Sequence, residues 1–215
     1  MPVAIEFKSD TINIVEARSK SGGFDLRQVK SLSFPEEWLD TQGIRETDDF
    51  YLLLTQAIDD AEIKTKDTVL CINNSSIIYR ELVVPNIDSK KLAMIVRSEM
   101  MDVLNLTPDY IMDYVVLEEF VDEQGASMIR LLAVACLSAV LASYIALMKR
   151  LKLKLTCIDS ATNAVLKLVS EIPDLKSLEQ MILVDVGNGH LRLYLFELGK
   201  YVLSRNAKLV HLKES

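Results

Sequence analysis

Two short polar turns carry the groups in this sequence whose types and placement suit binding chemistry. The first, Glu6-Phe7-Lys8-Ser9-Asp10-Thr11, lies between the strand-like runs VAIEF and TINIVEAR. The second, Asp185-Val186-Gly187-Asn188-Gly189-His190, follows the apolar run MILVDV and leads into LRLYLFE. Each is a polar turn directly after a hydrophobic strand. Backbone N–H groups in such turns form concave sites for phosphate oxygens. The candidates for contact with a nucleotide are Ser9, Asp10 and Thr11 in the first turn, with Asp185, Gly187, Asn188 and Gly189 in the second. Two ordinary β-hairpins are the plainer reading of the same residues, because Asn-Gly is a common hairpin turn.

Covalent or acid–base catalysis finds little support. His190 and His211 are the only histidines, and both lie in or beside the last hairpin. No P-loop, G-x-S-x-G or H-E-x-x-H pattern is present. The carboxylate pairs Asp48/Asp49, Asp59/Asp60 and Glu118/Glu119 are adjacent in sequence and read as solvated helix faces or cap charges. Cys71, Cys136 and Cys157 are scattered, each inside an apolar strand-like run, so they read as small buried hydrophobes. Their spacing suits neither a zinc site nor a disulfide framework, and such a set fits a reducing compartment.

The elements that position the turns follow from periodicity. Val3 to Arg18 reads as a hairpin about Lys8-Ser9-Asp10, Ser21-Gly22-Gly23 as a second turn, and Val29 to Phe34 as a third strand. Trp38 to Gly43 reads as a loop. Thr47 to Ala61 carries a helical stripe of Phe50, Leu53, Leu54, Ala57, Ile58 and Ala61. Asp67 to Asn73 and Ile77 to Val84 are strands, the latter closed by Pro85. A helix capped by Asp88 or Ser89 runs to Leu104, and strands follow at Tyr110 to Phe120 and Ile129 to Leu137. Leu131 to Met148 is 18 residues without a charge, the length of a membrane span. Its character changes midway, however, and the spacing predicts a buried strand followed by a helix that starts at Ser138 and ends in basic residues. Leu153 to Ile158 is a strand and Ala161 to Ser170 a helix ended by Pro173-Asp174. Three further strands complete the chain from Met181. Antiparallel strand sets alternating with single helices define a mixed α/β fold.

The formal net charge of −7 argues against nucleic acid and anionic lipid as partners. No Lys/Arg run exceeds two residues, so no basic arm offsets it. Glu6, Lys8 and Asp10 interrupt any apolar run at the amino terminus, which is unlike a secretion signal.

The order and spacing of these segments resemble the PilM family of type IV pilus machines, relatives of the cell-division protein FtsA within the actin-like ATPase superfamily. VAIEFKSDTINIVEA (Val3 to Ala17) runs without gaps against the family's first phosphate-loop strand pair. Asp67 to Met100 is similar to the strand and hairpin that end at proline before an inserted helix. MDYVVLEEF (Met112 to Phe120) resembles the strand after it. Leu131 to Val165 matches strand, helix, strand, then Asp and a helix, and Ile182 to Arg205 resembles the second phosphate hairpin. The sequence departs from the family in the first loop, where Glu6 and Lys8 stand at its Asp and Gly, in the second, where Gly189, His190 and Leu191 replace its small hydroxyl residues, and after the inserted helix, where Val103-Leu104-Asn105-Leu106 stands at its Ile-Pro-x-Pro run. In the second loop Asp185 and Gly187 are kept.

The resemblance implies an actin-like, ribonuclease H-like core with an inserted strand–helix–strand–strand subdomain and an incomplete second half. Its divisions would be a first core segment at 1–76, the inserted subdomain at 77–158, a return helix at 159–180, and the opening hairpin of the second half at 181–215. The adenosine-binding segment would lie beyond Ser215. The implied role is a non-enzymatic cytoplasmic scaffold at the inner-membrane face. It would hold the N-terminal tail of a PilN-like bitopic protein and connect indirectly to the pilus motor ATPases, with homo-oligomerisation left open. Ile77, Tyr79, Leu82, Val84, Met94, Ile95 and Tyr114 are the candidate groove for that tail, against the plainer reading that they are core. ATP with magnesium is the one candidate cofactor, and the first-loop departures argue against it. The alternatives are a nucleotide-binding actin-like switch and a GspL-like domain of a type II secretion platform.

Overall fold

The computed structural model describes residues 2–20, 23–187 and 190–208. Asn188, Gly189 and His211, and Ser21-Gly22 of the second turn, lie outside the described residues. The chain divides into two compact units. The first comprises 1–40, 44–74 and 145–215, and the second 41–43 and 75–144.

The first unit is built on a five-stranded sheet in the order β10-β6-β1-β2-β3. Its strands are β1 (Val3–Phe7), β2 (Thr11–Lys20), β3 (Gly23–Ser33), β6 (Asp67–Ile72) and β10 (Lys154–Ser160). β1 runs parallel to β6, and β6 parallel to β10, while β1, β2 and β3 form an antiparallel meander. Alternation sorts the side chains: Val3, Ile5, Phe7, Ile12 and Ile14 share one face and are fully buried. Helix α1 (Thr47–Asp60) contributes Phe50 to that core. Its ring meets Phe7, Phe34 and Trp38 edge-on at 5.6, 4.8 and 5.2 Å between centroids. Helix α4 (Ala161–Glu171) packs on β10 and β6, and Ser160 caps it by accepting the N–H of Asn163. Pro173, predicted only to end that helix, instead opens the short helical turn α5 (Pro173–Lys176). A second sheet, β11 (Gln180–Gly187), β12 (His190–Glu197) and β13 (Lys200–Lys208), is an antiparallel meander that buries Tyr194, Phe196 and Tyr201 on one face.

The second unit is an antiparallel sheet in the order β7-β9-β8 with one helix laid on it. Its elements are β7 (Ile78–Pro85), α2 (Ser89–Leu104), β8 (Tyr110–Val121) and β9 (Ser127–Leu137). Leu92, Val96 and Met100 of α2 pack against Val84, Ile129, Leu131, Ala133 and Ala135. Asp88 is the cap of α2 and accepts the N–H of Lys91 at 3.1 Å. Asn105 ends the helix in the left-handed region at φ 50°.

The apolar stretch at 131–148 is the end of β9 followed by α3 (Ser138–Arg150). No helix among the described residues is long and apolar enough to cross a membrane. Two expectations are corrected. The third strand begins at Gly23 rather than Val29, because β3 pairs with β2 along its whole length through a bulge that skips Arg27. Trp38 to Gly43 is not all loop: it holds the end of a 3-10 turn (Glu36–Trp38), β4 (Leu39–Asp40) and the start of β5 (Gly43–Ile44).

Candidate functional site

The two polar turns meet. Lys8, at the end of β1, donates from Nζ to Oδ1 of Asp185 on β11 at 3.0 Å, across 177 residues of sequence. Both side chains are about three-quarters buried, with exposures of 26% and 28%. Burial alone would lower the Lys8 pKa, but the Asp185 hydrogen bond and the charges of Glu6 and Asp185 outweigh it and raise it above the ordinary value. Lys8 is therefore held as a cation.

The first turn is closed by its own backbone. The Lys8 N–H donates to the Thr11 carbonyl at 2.9 Å, and the Phe34 N–H to that of Asp10 at 3.0 Å. The Thr11 hydroxyl donates to Oδ1 of Asp10 at 3.0 Å. None of Lys8, Ser9 and Asp10 takes a positive φ, so the turn forms without glycine.

Strand register builds a polar row beside this turn. Glu6 on β1 stands opposite Asn13 on β2 and beside Cys71 on β6, which stands beside Asp159 on β10. The row lies near the carboxyl ends of three parallel strands, the usual location of a ligand crevice in such sheets. Its members are tied up internally. Asn13 Nδ2 donates to Glu6 Oε2 at 2.8 Å, and Ser31 donates to Asn13 Oδ1 at 2.5 Å. Asp159 accepts from Lys167 Nζ at 2.7 Å and from Asn163 Nδ2 at 2.8 Å. The Asp159 hydrogen bond is the main reason that Lys167 is also raised. Burial, with Glu6 and Asp159 adding to it against Arg192 and Lys8, pushes the Cys71 thiol up to about 12.

On β12, Arg192 pairs in register with Asp185, and its Nε donates to Asn206 at 2.7 Å. Among the described residues, Arg192 Nη1 and the Tyr194 hydroxyl are buried without a protein hydrogen-bond partner. Among the described residues no group of His, Cys, Asp or Glu is arranged to hold a metal ion.

Of the candidate nucleotide residues, the structure brings Asp185 to the first turn through Lys8. Asp10 and Thr11 are bonded within the first turn and to Phe34, and Ser9 lies in that turn beside them. Sequence reasoning missed Asn13, Cys71, Arg192 and Tyr194, which are placed by register, and the role of Lys8 as the link between the turns.

The candidate groove residues all lie in the second unit. Leu82, Val84, Ile95 and Tyr114 belong to or pack against the core beneath α2. Tyr79 alternates to the opposite face of β7 and is half-buried, Ile77 precedes the strand, and Met94 is 72% exposed on α2. The structure does not gather them on one surface.

A mixed five-stranded sheet whose first polar turn meets the first hairpin of a second sheet defines an actin-like ATPase fold. The similarity to solved structures agrees. A PilM–PilN type IV pilus biogenesis complex matches with a TM-score of 0.85 at 17% identity, covering 97% of this chain and 61% of that one. The cytoplasmic domain of EpsL, an inner-membrane component of the Vibrio cholerae type II secretion system, matches with a TM-score of 0.58 at 10% identity, covering 96% and 70%. A Bacteroides thetaiotaomicron protein of actin-like ATPase fold matches with a TM-score of 0.54 at 10% identity, covering 98% and 70%. At these identities the likeness is one of fold. No curated protein matches the sequence. Residues 4–210 match the family of type IV pilus assembly protein PilM, and the chain belongs to that family. It spans 61% of the length of the chain it matches in the PilM–PilN complex.

Proposed function

We propose that this chain is a scaffold of a type IV pilus assembly platform. It works at the cytoplasmic face of the inner membrane, holds the N-terminal tail of a PilN-like bitopic protein, and reaches the motor ATPases only through other components. The observation that carries this reading is the family match over 4–210, together with the fold likeness to a PilM–PilN complex over 97% of the chain. In this reading the second unit is the inserted subdomain, and β11 to β13 open the second actin-like half. The tail binds as an extended strand at the β7 edge near Ile77 and Tyr79, a mode in which main-chain hydrogen bonds supply affinity and side-chain pockets supply specificity. Met94 adds an apolar contact, while Leu82, Val84, Ile95 and Tyr114 hold the sheet from beneath. The protein is not an enzyme in this account, because Lys8 of the first turn is committed to Asp185 of the second and Thr11 to Asp10.

Titration of the chain with a fluorescent peptide copying the cytoplasmic N-terminus of the bitopic protein encoded beside it tests the reading. Saturable binding, weakened by Tyr79→Ala, is expected. A folded chain that does not bind the peptide overturns it. The likeness to the EpsL cytoplasmic domain favours a second reading, a scaffold in a type II secretion platform. Binding of the pilus peptide removes it.

A further inference from the structure

The superfamily's ligand is a nucleotide with its metal, so the residues at the two turns can be tested for fit. A phosphate loop needs free N–H groups and close approach of the backbone. Here the Lys8 N–H is spent on the Thr11 carbonyl, and the Thr11 hydroxyl on Asp10. The Asp10 carboxylate places negative charge in the turn, where a phosphate would meet like charge. Glu6 is bound by Asn13. Asp185, the acidic residue of the second turn, is held by Lys8 at 3.0 Å. Lys8, Glu6, Asp10, Thr11 and Asp185 are thus engaged inside the chain, and these five residues do not fit that ligand.

We propose that the Lys8 ammonium is the resident cation of this site, holding Asp185 so that the chain clamps its own two turns together with no nucleotide. The positive charge that a bound metal would bring is supplied by a side chain fixed to β1. It is present at all times, so the clamp is constitutive and the site is not a switch. Three features support a working clamp over a chance surface pair. The pair is about three-quarters buried on both sides. It joins the turn after β1 to β11 of a different sheet, 177 residues apart. The Glu6 carboxylate nearby adds negative charge that favours the ammonium. The inference rests on the geometry of the turns and stands or falls separately from tail binding.

Thermal unfolding of the full chain and three variants tests it, with and without millimolar ATP and magnesium. Lys8→Met and Asp185→Asn are each expected to lower Tm by about 3 °C, the size of effect for roughly 1 kcal/mol in a chain of this length. The double variant should fall no further than the worse single, because either change already opens the clamp. Losses that add in the double variant overturn the proposal. ATP with magnesium should leave the wild-type Tm unmoved, and a saturable upward shift overturns it. Should either single variant fail to fold, the charge-reversed Lys8→Asp, Asp185→Lys double variant provides the test. Recovery of at least half the loss supports the clamp, and no recovery overturns it. Peptide binding measured on the same proteins reports the scaffold reading independently.

Discussion

Cys71, Cys136 and Cys157 look alike in the sequence, each inside an apolar strand, yet the fold gives them different chemistry. Cys136 is buried, Cys71 is half-buried and Cys157 is exposed, which corrects the expectation of three buried thiols. Cys157 lies on β10, the outermost strand on its side of the five-stranded sheet. Burial pushes Cys136 up to about 11 and Cys71 to about 12, so neither yields a thiolate near neutral pH. An alkylating reagent at pH 8 should therefore modify Cys157 in the native protein and all three cysteines after denaturation, as read by peptide mass spectrometry. Rapid native labelling of Cys71 would contradict the row of contacts described for it. The same groups set the alkaline limit of stability. A group with a raised folded pKa binds its proton more tightly in the fold, so its contribution is complete below the unfolded pKa and is lost as pH rises through the folded one. For Cys71 and Cys136 the loss starts above 9.0, and for Lys8 above 10.5. Tm should hold steady to about pH 9 and then fall. Cys71→Ala should flatten the first part of the decline, and Lys8→Met only the part above the ordinary lysine range.

At the level of elements, most of the architecture was legible because period and punctuation agree. The stripe of Phe50, Leu54 and Ala57 located α1, and these are its buried residues. The change of character near Ser138 divided β9 from α3. The early part of β3 was not legible, since Phe24, Leu26 and Val29 are each about 60% exposed and its polar and apolar residues answer to no buried face. The polar row was not legible either: parallel pairing of β1 with β6, and of β6 with β10, joins segments far apart and leaves no local signal. Apolar type alone does not separate the two faces of β7, of which the one carrying Leu82 and Val84 packs beneath α2. That packing makes its own prediction. Met100 is fully buried in the core of the second unit, so Met100→Ala should cost about 2–5 kcal/mol in denaturant unfolding. Asp88→Ala removes the cap of α2 and should cost about 1 kcal/mol. Gly43 is a sharper case. Its φ is +100°, and an added Cβ would lie 2.3 Å from Oγ of Ser143 on α3. Gly43→Ala should therefore destabilise more than the Asp88 change does, and equal stability would show that α3 yields there.

For the whole molecule, the apolar surface left uncovered matters most. Ile182, Val184 and Val186 alternate along β11 on the face away from Asp185, with exposures of 66%, 50% and 64%. Leu195, Leu193 and Leu191 stand opposite them on β12, and Leu203 on β13 extends the same face beside Leu195. A sheet normally covers such a face, and contiguous apolar patches of this kind mark association surfaces or aggregation liabilities. The opposite face of the same sheet is well packed by Tyr194, Phe196 and Tyr201. The exposed face can therefore be altered without touching the core. The chain is acidic, at −7, and mutual repulsion at low ionic strength opposes contact between such faces until salt screens it. The triple change Ile182→Ser, Val184→Ser, Val186→Ser should lower the fluorescence of a bound hydrophobic dye and remove salt-induced light scattering. Tm should move little by comparison with Met100→Ala. If dye binding and scattering persist in a folded triple variant, the sticky surface lies elsewhere, and the next face to change is the one carrying Phe24, Leu26 and Val29 on β3.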